Sequence, residues 1–202
     1  MRITVLGATG GVGREVVGQA LDRGWHVTAV VRDPAKLQLP AEVVVAGFTD
    51  RDKLAAAVEG RDAVISAVGS RDRGPTTVCV DGARAAIEAG AKRLLVVSAS
   101  GMHTEGDGFF TRSLVKPLLS RVLKHGWADM LAMEAVVAAS DLDWTIVRPP
   151  MLLNGPRTGK VASRLDGNVR TFTIRRADVA AYLLDAVADP TLIRRKVSIA
   201  HG

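Results

Sequence analysis

Apolar residues fall along the chain in two alternating rhythms. Short runs such as Ile3, Val5 and Leu6 give way to residues three and four positions apart, such as Val12, Val16, Val17, Ala20 and Leu21. The first rhythm predicts buried strands, and the second predicts helices packed on a sheet. The alternation continues with strands over 26–31, 42–47 and 62–68, and with a short helix over 50–59 capped by Asp50. Pro75 begins a helix whose buried stripe is Val78, Ala83, Ala86 and Ile87, Gly90 ends it, and 93–97 is the fifth strand. Leu114, Leu118, Leu119, Val122 and Leu123 predict one helix, 129–140 a second, and 142–147 the sixth strand. Segments 160–164 and 169–174 read as a hairpin around Asp166-Gly167-Asn168, followed by a helix over 177–188 and a last strand over 196–200. Strands that alternate with helices in this way predict an α/β doubly wound parallel sheet with helices on both faces.

The 202 residues suffice for one α/β domain with a full core, and the expectation is a single domain over 1–202. Apolar residues make up 48% and charged residues 24%, which is globular rather than disordered. No apolar stretch approaches the ~20 residues of a membrane span, and a strand stands where a signal peptide would be, so a cytoplasmic location is expected. The single Cys79 excludes an internal disulfide and reads as a small core residue. The net charge of +6 is scattered from Arg2 to Lys196 with no basic helix, so a solvated surface is expected rather than specific nucleic-acid binding.

The candidate chemistry starts where the first strand meets the first helix. Gly7, Gly10 and Gly13 follow one another at three-residue steps in the stretch Gly7-Ala8-Thr9-Gly10-Gly11-Val12-Gly13. Gly7 permits a sharp turn, Gly10 leaves bare backbone for a pyrophosphate, and Gly13 lets the helix lie close to the sheet. Free N–H groups and the positive end of the helix dipole then face an anion, which predicts a dinucleotide. Arg32 lies nineteen residues past Gly13, at the end of the second strand, where an arginine suits a 2′-phosphate and an acid suits a ribose 2′-hydroxyl. With Lys36 as a second charge, the prediction is NADP(H) over NAD(H); Asp33 can take the ribose role if Arg32 points to solvent.

Further candidates sit at later strand ends, where ligands of open α/β sheets collect. Ala67, Val68, Gly69 and Arg71 follow the fourth strand, with a plain surface loop as the other reading of Arg71. Ser98 and Ser100 follow the fifth, where a hydroxyl can bond the nicotinamide amide or a substrate carbonyl, or cap the next segment. Pro149, Pro150 and Met151 leave the sixth strand as a stiff wall against the nicotinamide. The glycine-bounded stretch with His103, Glu105 and Phe109-Phe110 reads as a rim over a substrate; a surface connection is the other reading. Segments of about 101–130 and 151–170 are expected to form the substrate-covering region.

Four stretches together resemble a known family: Gly-Ala-Thr-Gly-Gly-Val-Gly from Gly7, Val-Arg-Asp-Pro-Ala-Lys from Val31, Gly-Ser-Arg-Asp-Arg-Gly-Pro-Thr-Thr from Gly69, and Leu-Asp-Trp-Thr-Ile-Val-Arg-Pro-Pro from Leu142. The chain resembles the atypical short-chain dehydrogenase/reductases of the NAD(P)H-binding type, most of all the biliverdin-IXβ reductase and flavin reductase branch with its NmrA-like relatives. The resemblance implies a Rossmann-like fold. It also implies that Gly10, Gly11 and Val12 hold the pyrophosphate, with Thr9 in the same turn. Arg32 and Lys36 would hold the 2′-phosphate, Arg71 the cofactor edge, and Pro149-Pro150 the nicotinamide wall.

The chain also departs from that pattern. The superfamily's Tyr-x-x-x-Lys pair is absent, its positions matching Gly126 and Met130, while the only tyrosine, Tyr182, has Ala186 four residues on. The acidic residue after the third strand is replaced by Phe48, and the branch's serine and histidine match Ala99 and Met151. Two functions fit. One is an NADPH-dependent reductase passing hydride to a planar conjugated small-molecule acceptor, such as a flavin, a quinone-like compound or an open tetrapyrrole, as a monomer or small homo-oligomer. Such acceptors need little enzymic acid; if a donor is needed, Ser98, Ser100, His103 and Asp129 are the candidates. The other is a non-catalytic NADP(H)-binding sensor of NmrA-like type. No metal site is expected, because the histidines lack ligand spacing.

Overall fold

A computed structural model of the chain describes residues 1–70, 74–103, 116–165 and 167–202, with the helix backbone alone over 116–122. Strands β1 (Arg2–Leu6), β2 (His26–Val31), β3 (Glu42–Val45), β4 (Ala63–Ser66), β5 (Arg93–Val97) and β6 (Asp143–Arg148) alternate with helices α1 (Gly11–Asp22), α2 (Arg51–Val58), α3 (Val78–Glu88) and α4 (Lys116–Ala138). Strands β7 (Met151–Leu153), β8 (Val161–Leu165) and β9 (Thr173–Arg175), helix α5 (Arg176–Val187) and strand β10 (Arg195–His201) follow. The main sheet runs β3-β2-β1-β4-β5-β6-β10-β8 and is parallel except for β8, which is antiparallel to β10. Its order reverses beside β1, so that β2 and β4 flank β1 on either side. Chain crossovers diverge there, and a cleft opens at the carboxyl ends of the strands.

Period-two alternation sends successive strand residues to opposite faces. Val5, Ile65 and Leu95 face the layer built by α1 and α5, where Val16, Val17, Ala20, Val179, Leu183 and Leu184 are buried. Leu6, Val64, Leu94 and Val96 face α2, α3 and α4, meeting Leu54, Val80, Ala83, Met133 and Val137. Buried charges tie these layers at their ends. Arg93 donates to the carbonyls of Ala186 and Val187 that end α5, and also to the backbone carbonyl of Asp143. Asp178, in the first turn of α5, accepts from the amides of Thr158 and Gly159 and the Thr158 hydroxyl, which pins the loop before β8.

Four sequence expectations are corrected. Residues 160–174 do not form a hairpin: β8 pairs with β10, and β9 pairs in parallel with β7. The open edge of β10 satisfies β8, while β9 buries Ile174 in the core; Asp166 lies outside the described residues. The two helices expected over 114–140 are one helix, α4, which runs through Gly126. A lone glycine costs a helix only ~1 kcal/mol, and packing of α4 on α3 offsets it. The Asp50 side chain accepts from Gly47 N at 2.6 Å and does not cap α2.

The fourth correction concerns α3, which starts at Val78 rather than at Pro75. Its first amides, on Cys79 and Val80, donate to the two carboxylate oxygens of Asp129 at 2.9 and 3.0 Å. A buried carboxylate at a helix start meets unpaired N–H groups and the positive dipole end, which keeps its charge tolerable there. Beside it, burial and then the Asp129 charge push the Cys79 thiol up to about 12. This thiol is inert and packs as a small core group. Replacing Asp129 with alanine leaves two buried amides without acceptors and is expected to lower unfolding stability by ~1–3 kcal/mol in urea titrations. Wild-type stability in that variant would refute the capping role.

Candidate cofactor and acceptor site

The turn after β1 is bare backbone because nothing else fits. Gly7 has φ +76°, and a β-carbon on it would stand 2.7 Å from the Ala67 carbonyl oxygen at the end of β4. Gly10 N donates back to Gly7 O at 2.9 Å, and a β-carbon on Gly13 would overlap the same carbonyl. Helix α1 therefore starts hard against the turn. Its N-cap residue, Gly10, has no side chain to bond the free amides, and no acidic residue stands in the first turn. Val12 and Gly13 are buried behind this start, and Gly11 faces outward. The fit to a pyrophosphate rests on this cradle: exposed helix amides, a positive dipole end, and bare backbone where a β-carbon would intrude.

Beside the cradle lies a cleft of about 250 Å³, lined by Gly7, Thr9 and Gly10 at one end and by Ala67, Val68 and Gly69 along one side. The opposite wall is Val31, Arg32, Ala46, Gly47 and Phe48, with Val78 closing it from α3. Seven of the residues expected to bind cofactor thus converge: Gly7, Thr9, Gly10, Arg32, Ala67, Val68 and Gly69. Arg71 lies outside the described residues. The sequence did not mark Val30, Val31, Ala46 and Val78 as lining, and it showed Gly47-Phe48 only as a departure. Their shared signal is position at strand ends β2 and β3 and at the start of α3. Phe48 leans on the glycine face of α3, where a β-carbon on Gly82 would come within 3.1 Å of its ring.

Arg32 is exposed on the cleft wall. Asp33 is turned away into its own chain: it accepts from Ala35 N at 3.1 Å and pairs with Lys36 Nζ at 3.0 Å. That hydrogen-bonded pairing with Lys36 holds the Asp33 carboxyl below its usual range. Lys36 is off the cleft, next to a separate recess with Arg14, and its charge is matched by Asp33. Of the pair expected to hold a 2′-phosphate, Arg32 alone faces the cleft.

The ends of β5 and β6 hold a second polar group. Ser98, 3% exposed, donates its hydroxyl to Glu134 Oε1 at 2.6 Å, and His103 Nε2 lies 3.3 Å from the same oxygen. Arg148 grips both oxygens of that carboxylate, through Nε and Nη2. The Ser98 proton is thus committed to Glu134, because a buried hydroxyl takes the charged acceptor within reach. Asn168 donates to His103 O and accepts from Ser198, carrying the network to β10. Ser100 N donates to Pro149 O, which joins the two strand ends below Pro150. Met151, 62% exposed, starts β7 directly after Pro150, and its amide donates to the carbonyl of Phe172, itself 61% exposed. Asp129, expected as a proton donor, has both oxygens taken by α3 amides and lines no part of the cleft.

Burial pushes the Glu134 carboxyl up, but hydrogen bonds from His103, Arg148 and Ser98 outweigh it and hold the group at about 2, against an ordinary 4.5. A carboxyl depressed on folding stabilises the folded chain above its unfolded value and loses that contribution as pH falls toward its folded value. Wild-type unfolding free energy is therefore expected to drop between pH 4.5 and 2 more steeply than that of Glu134→Gln; parallel curves would sink the assignment. Arg148→Met, which strands the buried carboxylate, is expected to cost ~3–5 kcal/mol at neutral pH.

Residues 7–190 match the NAD(P)H-binding family. Over 219 aligned residues the chain is 32% identical to a Bacillus subtilis protein named as the uncharacterized sugar epimerase YhfK, covering all of this chain and 95% of that one. It is 32% identical over 183 residues to a 3-diazoavenalumate denitrifying reductase of a Streptomyces species, covering 79% of this chain and 58% of that protein. Among solved structures, ChuY of Escherichia coli O157:H7, described as an anaerobillin reductase, superimposes with TM-score 0.82 at 24% identity, covering 100% of this chain and 97% of that one. The oxidoreductase ylbE of Lactococcus lactis gives TM-score 0.82 at 22% identity, with 100% and 91% covered. At these identities the likeness is one of fold, and the fold is Rossmann-like. On the match spanning 7–190 and the glycine cradle it contains, the chain belongs to the NAD(P)H-binding family.

Proposed function

We propose that the chain is an NADPH-dependent reductase that delivers hydride to a planar, conjugated small-molecule acceptor such as a flavin, a quinone-like compound or an open tetrapyrrole. The observation that carries the cofactor choice is the division of labour at the end of β2. Arg32 faces the cleft, while Asp33, the residue suited to an unphosphorylated ribose, is spent on Ala35 N and Lys36. A guanidinium offers a phosphate two parallel hydrogen bonds and a flat face for the base. Val31, Ala46, Phe48 and Val78 supply the apolar surroundings of that base.

The bound nicotinamide supplies the hydride. The chain's part is to place it: the cradle at Gly10–Val12 fixes the pyrophosphate, and Pro149, Pro150 and Met151 form the wall beside the ring. Exposed Met151, next to Pro150, offers an apolar surface for a flat acceptor. Gly126 and Met130 stand where an alcohol-reducing relative carries its proton donor pair, and Ser98 and His103 are both engaged with Glu134. Acceptors whose reduction spreads negative charge over a conjugated system suit such a site, because proximity and orientation then provide most of the acceleration. The names of the Streptomyces reductase and of ChuY lie on the same side.

The test is NADPH oxidation with FMN, biliverdin isomers and quinones. Turnover with at least one is expected. Binding of NADPH without turnover of any acceptor would overturn the reductase reading in favour of a cofactor-binding sensor. Arg32→Ala is expected to reduce the preference for NADPH over NADH about tenfold or more, the worth of a charge-assisted hydrogen bond. An unchanged preference measured by titration of both cofactors would remove the NADP assignment.

A further inference from the structure

Arg176, the first residue of α5, sends its side chain across to the start of α1. A β-carbon built on Gly11 would lie 2.6 Å from both Cδ and Nε of Arg176, so the arginine stem occupies the space that a side chain at 11 would need. The guanidinium is oriented by neutral partners: Nη1 donates to Leu152 O at 3.2 Å and to Asn154 Oδ1 at 2.7 Å. Among the described residues, Nε and Nη2 have no hydrogen-bond acceptor and the guanidinium has no carboxylate partner. The nearest acid in sequence, Asp178, is buried and committed to Thr158 and Gly159. A half-buried cation is thus held over the positive end of α1, where the helix has neither a capping side chain nor an acidic first turn. Two positive features on the same side of one glycine cradle repel each other unless an anion lies between them.

We propose that Arg176 is a cofactor-positioning residue that closes the glycine cradle from the α5 side and pairs through Nε and Nη2 with a phosphate of the dinucleotide's pyrophosphate. This inference rests on the cofactor reading above and adds a contact that the glycine turn does not contain. It divides recognition between two arginines: Arg32 meets the 2′-phosphate at the adenosine end, and Arg176 meets the pyrophosphate. It also accounts for the second glycine of the Gly10-Gly11 pair, since Gly11 is the residue over which Arg176 must pass. Because Nη1 is tied to Leu152 and Asn154 on and beside β7, the same guanidinium links the pyrophosphate to the segment that follows Pro149-Pro150.

The experiment compares two probes by calorimetric titration: NADPH, which carries the pyrophosphate and the 2′-phosphate, and 2′-AMP, which carries only the latter. Arg176→Met is expected to weaken NADPH about 10- to 100-fold, the span of one or two charge-assisted hydrogen bonds, while leaving 2′-AMP affinity unchanged. It should also flatten the salt dependence of NADPH binding. Arg176→Lys, which keeps the charge but loses the fork, should recover part of the NADPH affinity. Equal weakening of both probes would mean a loosened cleft, and unchanged NADPH affinity would mean no contact; either result overturns the proposal. If Arg176→Met does not fold, the lysine variant decides: NADPH affinity and salt dependence both at wild-type values overturn the fork contact, and selective loss for NADPH supports it. Wild-type chain that binds neither NADPH nor NADH would instead defeat the cofactor reading itself.

Discussion

The close approach of three backbone segments governs the architecture of the site. The end of β1, the end of β4 and the start of α1 meet at Gly7, the Ala67 carbonyl and Gly13, with no side chain between them. Because α1 can lie this close, its first amides open onto the same space as the strand ends. The reversal of strand order at β1 then places β2 and β3 on one flank and β4 on the other, so the walls of the cleft come from both halves of the sheet.

Much of this was legible in the sequence because it is local. Strand and helix periods over residues 2–68, the glycine spacing and the place of Arg32 are properties of short segments, and the structure keeps them. What escaped depends on partners far apart in the chain. Nothing near Pro75 tells that α3 begins at Val78; the cause is Asp129, some fifty residues on. Nothing near Ser98 tells that its hydroxyl donates to Glu134, in a distant helix. The segments 160–164 and 169–174 look like mutual partners, and only the edge offered by β10 and the parallel match of β7 with β9 separate them. Arg176 carried no signal of its own, since a basic residue at a helix start reads as surface until its stem is seen over Gly11.

Buried charges hold the segments around the cleft in place. Glu134 gathers α4, β5 and β6 through Ser98, His103 and Arg148; Asp129 fastens α4 to α3; Asp178 anchors the loop before β8. Each carboxylate is matched by donors that would otherwise be unsatisfied, so these ties act by making departures costly more than by adding net attraction. The rigid parts around the cleft are built on helices and strands, and Arg32 and Met151 stand exposed at strand ends.

Phe48 has a consequence for how relatives with this framework diverge. Its ring forms part of the cleft wall on one side and rests against bare Gly82 of α3 on the other, with 3.1 Å separating the ring from the missing β-carbon. Adding even a methyl group at 82 would push the ring by a few tenths of an ångström toward whatever the cleft holds. The width of the cleft is therefore set partly by a residue that does not line it, on the hidden face of a helix. Comparing only lining residues among relatives would overlook it, since a change at position 82 acts on the cleft from behind its wall.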